Sequence, residues 1–386
     1  MHRSTYLLAA GGFAVGTSAY IVSGVLADVA TSLGVSVAAA GQLSTAFALS
    51  YALGAPLLAV LTGRWERRAL LVVALLVAAA GNLAAALAPS YPLLIAARVL
   101  SALGAAVFSP GATVVATELN PPELRGRAVA AVYGGITLSL VVGVPAGSLL
   151  GEPLGYRGVF ALVGVLCLAA ALLVRVLLPR VAAPPVVGLR ERLSVAADRR
   201  VVAVLSMTVV NLLAGLSVYT YVMPLLEATA GATGPTLSLL LFAYGAGTLV
   251  GNVLGGRLAD RFGSTRPLAV VLPLVTLTLA TLPLTAATAP GAAVALFVLG
   301  GAGWTTNAPV QSRLLALAPA GGGLLLSLNA SAIYLGAGLS GLVGGLLIGL
   351  VGITVLPVVA AVLSLAALAL LPVAMHRRPE GCPAVS

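Results

Sequence analysis

Long apolar runs follow one another along the whole chain, and they constrain its fold more than any other feature. A helix needs about 20 apolar residues, at 1.5 Å each, to cross the ~30 Å hydrocarbon core of a bilayer. Hydrophobic residues make up 60% of the sequence and charged residues only 8%, whereas soluble domains carry roughly 25% charged residues. The runs are too long for barrel strands, which need only about 10 residues. We therefore predict an all-α membrane protein.

Twelve such runs occur, and they are numbered here as spans 1 to 12 in chain order. The predicted spans are 6–27, 41–62, 69–88, 92–116, 127–150, 158–178, 201–225, 236–257, 267–287, 291–315, 323–349 and 353–374. A cleaved signal peptide is the alternative for the first run. We favour an uncleaved helix, because the run exceeds the roughly 7–15 apolar residues of a signal peptide.

The arginines lie almost entirely on one side of these spans. All 20 basic residues are arginines, and 18 of them fall in the N-terminal segment, the C-terminal tail and every second loop. The positive-inside rule makes this side cytoplasmic, so we expect both termini in the cytoplasm. The net charge of +10 then reflects membrane topology, and nucleic acid is not an expected partner.

The longest polar stretch divides the chain into two halves of six spans. We predict an N-terminal six-helix bundle over 1–178, a cytoplasmic linker over 179–200 and a C-terminal bundle with a short tail over 201–386. Within the linker, 188–200 is predicted either as an interfacial helix or as plain solvated chain.

A sequence repeat supports this division. The stretch from Gly54 to Trp65, at the end of span 2, matches the stretch from Gly251 to Phe262, at the end of span 8, at a spacing of 197 residues. Repeated halves of this kind predict two pseudo-symmetric six-helix bundles, which are typical of secondary transporters.

The sequence offers little chemistry for a cofactor or a catalytic site. Cys167 lies in span 6 and Cys382 in the tail, while His2 and His376 sit at opposite ends of the chain. An enzyme would need a metal cluster or a buried nucleophile–base pair. We therefore expect no metal, no cofactor and no enzyme activity. A non-transporting membrane sensor stays an alternative.

The stretch Gly251–Gly263, GNVLGGRLADRFG, resembles the loop signature of the major facilitator superfamily. That signature lies between helices 2 and 3 and recurs between helices 8 and 9. The resemblance implies that Asp260 and Arg261 make charge contacts that break when the two halves move. The first copy departs from the pattern, because Gly63 occupies the position of Asp260.

Two further motifs resemble the twelve-helix drug:proton antiporter branch, which includes bacterial exporters of the chloramphenicol and sugar-efflux type. Gly143, Pro145 and Gly147 in span 5 are similar to its antiporter motif, in which proline bends the helix and glycines permit close packing. Arg98 in span 4 matches the arginine of another exporter motif. An intramembrane charge is costly, so we expect Arg98 to face a cavity or a partner. The alternative is a side chain that snorkels to the interface.

The resemblance implies exchange for protons, but one position departs from it. Related exporters place a glutamate directly after Gly-Thr-Ser in helix 1, and this chain has Ala19 there. No acid remains near the middle of a span. Asp28 is the best remaining proton carrier, with a solvated helix end as the alternative reading. Proton coupling through Asp28 beside Arg98, and facilitated diffusion without an obligatory proton, both stay open.

The resemblance also implies a central cavity lined by helices 1, 4, 7 and 10, with contributions from 2, 5, 8 and 11. Polar and aromatic residues on these spans are the candidates for its lining. They are Tyr20, Tyr51, Asn211, Tyr219, Tyr221, Tyr244, Trp304, Asn307, Gln311, Asn329 and Tyr334. The asparagines have interhelical hydrogen bonds as an alternative role, and the aromatic residues have positions in the interface belt.

Together these features predict a secondary transporter of the inner membrane that exports a small lipophilic or mildly polar drug or metabolite by alternating access. A facilitative exporter of a sugar or nucleoside is the alternative. The expected partners are a small-molecule substrate, the lipid bilayer and, if transport is coupled, protons. We expect the protein to be a monomer.

Overall fold

The computed structural model describes residues 1–35, 37–182, 195–232, 234–317 and 322–376. Within these ranges the chain is almost entirely α-helical, with a single 3-10 turn at Pro122–Leu124 and no strand. Hydrogen bonds within each helix satisfy the backbone, as a lipid environment demands.

The helices follow the predicted spans closely. Spans 1 to 6 are formed by Arg3–Tyr20 with Val22–Leu33, Val37–Leu61, Arg67–Leu87, Tyr91–Glu118, and Arg125–Leu177 for both span 5 and span 6. Spans 7 to 12 are formed by Arg199–Thr220 with Val222–Ala230, Gly234–Phe262, Thr265–Thr285, Ala289–Thr305 with Asn307–Leu317, Gly322–Val351, and Leu356–Ala369 with Leu371–Met375.

Ten helical stretches of the described chain are long and apolar enough to cross a membrane, and they correspond to spans 2–4 and 6–12. Spans 1 and 5 complete the twelve, and each contains some residues whose side chains lie outside the described set. The predicted twelve-helix fold is confirmed. The exact domain boundaries remain predictions, because 183–194 and 377–386 also lie outside the described residues.

The turn between spans 5 and 6 is tighter than predicted. Helical backbone runs from Arg125 to Leu177 with one break at Gly155, where φ is 63° and ψ is 170°. A positive φ of this size suits glycine, which has no Cβ to clash with the backbone. The sequence predicted a loop of several residues here, and one glycine replaces it.

Each half of the molecule has its own hydrophobic core. Buried apolar side chains of spans 1–6 form one large cluster around residues such as Leu75, Phe108 and Phe160. Spans 7–12 bury two further clusters, centred on residues such as Leu279 and Met207. Many large apolar side chains elsewhere are exposed, as expected for a surface that faces lipid.

Spans 8 and 10 cross at close range through glycines. Gly247, Gly251 and Gly255 recur every four residues and so share one face of span 8. A Cβ added at Gly255 would lie 2.6 Å from the Thr305 carbonyl oxygen, and one added at Gly251 would overlap the Gly301 carbonyl oxygen. The Thr305 hydroxyl also donates to the Gly251 carbonyl oxygen at 3.0 Å. Only small residues allow the two helices to come this close.

The arginine-rich side of the bundle, which carries both chain termini, is tied together by hydrogen bonds. The His2 backbone N–H donates to Asn120 Oδ1 at 2.8 Å, which joins the N-terminus to the end of span 4. Arg313 Nη2 donates to the His376 carbonyl oxygen at 2.7 Å, which joins the ends of spans 10 and 12. The N-terminus therefore lies beside the end of span 4, and the end of span 10 lies beside that of span 12, as the predicted topology requires.

Glu66 anchors the start of the linker on the same side. Its carboxylate caps span 3 by accepting from the Arg68 and Ala69 backbone N–H groups at 3.0 and 2.8 Å, and it accepts from the Val181 N–H at 3.1 Å. Partial burial raises the pKa of this carboxyl group, but the three donors and the Arg68 guanidinium outweigh burial and lower the pKa overall. The anchor is therefore present at neutral pH and is lost on acidification through the lowered pKa.

Candidate functional site: a central cavity between the two halves

A cavity of about 460 Å³ lies between the two halves of the bundle. Spans 1, 2, 4, 5, 7, 10 and 11 all contribute to its wall. Its polar and aromatic lining residues are Tyr20, Ser44, Thr45, Phe47, Tyr51, Ser109, Tyr133, Thr137, Thr220, Trp304, Asn307, Tyr334 and Ser340. No charged side chain of the described chain lines it. Such a wall favours an uncharged or weakly charged organic molecule.

Two groups of aromatic residues contribute to the wall of the site. Tyr51 of span 2 stacks on Tyr334 of span 11 with ring centroids 3.8 Å apart, and Phe47 lies 6.3 Å from Tyr334. Trp304 of span 10 donates its indole N–H to the Thr137 hydroxyl of span 5 at 2.9 Å. The first group contains two contacts between the N-terminal and C-terminal halves and the second contains one, so movement of the halves must rearrange the cavity wall.

Five of the predicted cavity residues line the cavity. They are Tyr20, Tyr51, Trp304, Asn307 and Tyr334. Tyr219 and Tyr244 do not line it. They stack on each other at 4.0 Å, and Tyr244 packs edge-on against Trp304 at 6.4 Å. They therefore support Trp304 from behind.

The remaining predicted amides lie beside the cavity rather than in its wall. Asn211 and Asn329 line a small adjoining pocket of about 10 Å³, which also includes Asn307. Asn329 Oδ1 accepts a hydrogen bond from the Thr208 hydroxyl at 3.2 Å, which is the interhelical role left open above. Gln311 is fully buried but lines neither space, and Tyr221 donates to the Gly341 carbonyl oxygen at 2.7 Å.

Sequence reasoning missed Phe47 and Tyr133, and Phe47 carried a usable signal. Phe47 precedes Tyr51 by four residues, which places both on one face of span 2. Tyr133 precedes Thr137 by the same interval in span 5. Extending the candidate set along the face of Tyr51 would have found Phe47, whereas Tyr133 lies on span 5, from which no cavity candidate was taken.

Spans 1, 7 and 10 each break into two helices beside the cavity, which the sequence did not predict. The breaks fall at Ile21, Tyr221 and Thr306. The adjacent residues Tyr20 and Asn307 both line the cavity. Irregular backbone at membrane depth is tolerated where it borders a cavity, so these breaks mark the site.

Arg98 is fully buried directly behind this wall, which excludes the snorkelling alternative. Its Nη1 donates to the Ser18 carbonyl oxygen at 2.8 Å, and its Cζ lies 4.6 Å from the Phe47 ring centroid and 5.6 Å from that of Phe160. Nε and Nη2 have no hydrogen-bond partner in the described part of the chain. Cation–π contacts contribute about 0.5–2 kcal/mol each, whereas burying an ion costs several kcal/mol. The rings therefore offset only part of the burial cost.

Asp28 holds a turn together instead of pairing with Arg98. Its Oδ2 accepts from the Tyr156 backbone N–H, and its Oδ1 accepts from the Ser32 hydroxyl at 3.1 Å. The carboxylate thus caps the first free N–H of span 6, just after the break at Gly155. The two residues form no ion pair in the structure, and proton coupling through Asp28 stays a prediction.

Asp260 joins the two halves on the arginine-rich side. Its carboxylate accepts from the Gly126 and Arg127 backbone N–H groups at 2.6 and 3.1 Å, and Arg127 Nε lies 3.4 Å from Oδ2. It therefore caps the N-terminus of span 5, where the helix dipole favours a negative charge. Asn252 adds a second link between the halves by donating to the Ala130 carbonyl oxygen at 2.7 Å.

Arg261 is exposed and packs over the Phe262 ring at 5.2 Å, so it takes no part in the Asp260 link. Gly143, Pro145 and Gly147 belong to the helical backbone of Arg125–Leu177, and their side chains lie outside the described residues. Within the described chain, no group of three or more His, Cys, Asp or Glu residues is placed to hold a metal ion, and Cys167 is buried and free.

Comparisons with known proteins agree with this architecture. The family model described as Major Facilitator Superfamily matches residues 8–322 and, in a second match, 205–384. A chloramphenicol resistance protein of Streptomyces lividans is 36% identical over 349 residues, which cover 89% of this chain and 88% of that protein. The inner membrane transport protein YdhP of Escherichia coli strain K12 is 33% identical over 374 residues, or 97% of this chain and 96% of that protein.

A solved structure shares the fold at low sequence identity. The fucose:proton symporter FucP of Escherichia coli matches with a TM-score of 0.77 and 15% identity, over 96% of this chain and 98% of that one. The sequence comparisons all point to the same family. Its architecture agrees with what the structure shows: two six-helix halves, a cavity between them and a link at the loop between spans 8 and 9. The chain belongs to the major facilitator superfamily of membrane transporters.

Proposed function

We propose that this protein exports a small lipophilic or mildly polar organic compound across a bacterial inner membrane by alternating access. The observation that carries the proposal is the uncharged, aromatic cavity between two halves, which are linked on the arginine-rich side by contacts such as Asp260 with Gly126. The relatives named a chloramphenicol resistance protein and an inner membrane transport protein support export and the location. We place both termini in the cytoplasm and treat the protein as a monomer.

Efflux by this protein should depend on the cavity tryptophan. The chain has two tryptophans, which makes a matched pair of variants possible. Trp304 lines the cavity, whereas Trp65 is exposed in the loop after span 2. In cells without their main efflux pumps, the wild-type protein is expected to lower the accumulation of at least one compound in a panel of chloramphenicol, other antibiotics and dyes. Trp304→Ala should abolish that effect, and Trp65→Ala should retain it.

The comparison must be made at equal amounts of protein in the membrane. Wild-type cells that accumulate every compound as strongly as cells with an empty vector would refute export of this substrate class. Equal activity of both tryptophan variants would instead move the substrate site away from this cavity.

We further propose that the substrate crosses the membrane without obligatory exchange for a proton. Among the residues that the structure describes, no charged side chain lines the cavity, and Asp28 is occupied as a helix cap. In proteoliposomes with a substrate found in the panel, we expect equilibration down the substrate gradient, with little acceleration by an imposed pH difference. Substrate accumulation against its gradient, driven by pH and lost in Asp28→Asn, would reverse this assignment.

The proposed orientation can be checked by thiol labelling. Thr265 and Ala287 are exposed at opposite ends of span 9. In a Cys167→Ala, Cys382→Ala background, a membrane-impermeant thiol reagent should label Ala287→Cys in intact cells and Thr265→Cys only after permeabilisation. The reverse pattern would place the arginine-rich side outside the cell.

A further inference from the structure

The positive charge of Arg98 has no negative partner in the described part of the chain. The side chain is fully buried, one donor bonds to the Ser18 carbonyl oxygen, and Nε and Nη2 bond to nothing described. Asp28, an acid on the neighbouring span 1, is held by the Tyr156 N–H and the Ser32 hydroxyl. A buried charge without a counter-charge is strongly unfavourable, so a compensating group is needed.

The guanidinium group lies immediately behind the wall of the central cavity. Ser18, its hydrogen-bond acceptor, is followed by Ala19, and Ala19 lines the cavity. Phe47, whose ring lies against the guanidinium, lines the cavity as well. Alanine is small, so Ala19 contributes only a methyl group to the cavity wall, and Phe47 contributes a ring that can change rotamer. A group in the cavity against Phe47 therefore lies close to the Arg98 guanidinium.

We propose that Arg98 binds a monovalent anion that enters from the cavity, between Ala19 and Phe47. The anion supplies the counter-charge that the chain lacks and accepts hydrogen bonds from Nε and Nη2, which are oriented for a chloride ion or one carboxylate group. The bound anion carries a single negative charge, because Arg98 is the sole cation at this depth of the described spans. If the ligand is a carboxylate, it belongs to the transported compound, so that version of the inference rests on the proposed function. Chloride binding does not rest on it.

Anion binding at this position can be measured without transport. The thermal unfolding midpoint of the purified protein in detergent is followed while sodium gluconate, an anion too large and hydrophilic for the wall, is replaced at constant ionic strength. One series uses sodium chloride and the other sodium benzoate. A ligand that binds only the folded state raises the midpoint saturably. We expect a saturable rise of a few degrees in the wild-type protein with at least one of the two anions.

Three variants separate a specific site from a general salt effect. Arg98→Gln should lose the response to both anions. Ala19→Glu places a carboxylate from the chain beside the same wall, so it should raise the midpoint in gluconate and also lose the response. Arg157→Gln changes an arginine that already bonds to the Tyr156 hydroxyl and the Ala88 carbonyl oxygen, and it should respond like the wild-type protein.

The outcomes identify which anion binds and which results contradict binding at Arg98. A response to chloride identifies the inorganic ion, and a response to benzoate alone identifies an organic carboxylate. No response in the wild-type protein, or an undiminished response in Arg98→Gln, would overturn the proposal whether or not export is observed. If Arg98→Gln does not fold, an undiminished response in Ala19→Glu overturns it equally.

Discussion

Valine in place of Gly251 is expected to remove most of the folded protein from the membrane. A side chain at this position would overlap the Gly301 carbonyl oxygen, and backbone atoms cannot move aside as a flexible side chain can. Spans 8 and 10 would have to separate, which breaks the Thr305–Gly251 hydrogen bond as well. Overpacking alone costs typically about 1–3 kcal/mol, and total stabilities are only about 5–15 kcal/mol. Size-exclusion chromatography of a fluorescent fusion in detergent measures the monodisperse fraction directly.

Gly215→Val is the matched control for this experiment. Gly215 also lies inside a membrane helix, and a Cβ added there would meet no atom within 4 Å. Both variants therefore carry the same change in helix propensity, and they differ in the space available. Equal yields and equal unfolding temperatures for the two variants would contradict the close crossing of spans 8 and 10.

Asp260→Asn is expected to shift the molecule towards a state that is open on the arginine-rich side. The wild-type carboxylate accepts two backbone hydrogen bonds from the start of span 5 and lies 3.4 Å from Arg127 Nε. Asparagine keeps the shape but loses the charge, and hydrogen bonds to charged groups contribute about 1.5–3 kcal/mol. Because 1.4 kcal/mol corresponds to a factor of ten in an equilibrium, the open population should rise about tenfold or more.

Spin labels report this shift as a distance. Glu123 and Thr265 are exposed on the arginine-rich side, one in each half. After both are changed to cysteine and labelled, in a Cys167→Ala, Cys382→Ala background, Asp260→Asn should increase the long-distance population measured by pulsed electron paramagnetic resonance. Transport should fall at the same time, because the two access states are no longer balanced.

Two controls isolate the charge of Asp260. Arg261→Gln removes a neighbouring charge that packs only over Phe262, and Gly63→Ala alters the equivalent position of the first sequence repeat, where no carboxylate exists. Both should leave the distance distribution close to that of the wild-type protein. Identical distances and transport rates in Asp260→Asn and Gly63→Ala would show that the loop after span 8 only sets topology.

The sequence alone determined the class, the number of spans and the family of this protein. Hydropathy over about 20 residues and the side on which arginines fall are local properties, and the bilayer acts on each span separately. The repeat of Gly54–Trp65 in Gly251–Phe262 is equally local. These features were therefore predictable before any packing was known, and a charge contact at Asp260 was implied by its motif.

Tertiary structure alone decided which residues meet at the site. The cavity wall is assembled from seven spans, and helices that are apolar on all sides carry no periodic signal for the face that turns inward. Tyr219 and Tyr244 therefore lie behind the cavity wall, whereas Phe47 and Tyr133 form part of it. The same packing placed Asp28 at the start of span 6 and left Arg98 buried behind the cavity wall, with no acid beside it in the described chain. Contacts of this kind join spans that are far apart in the sequence, so they depend on how whole helices pack.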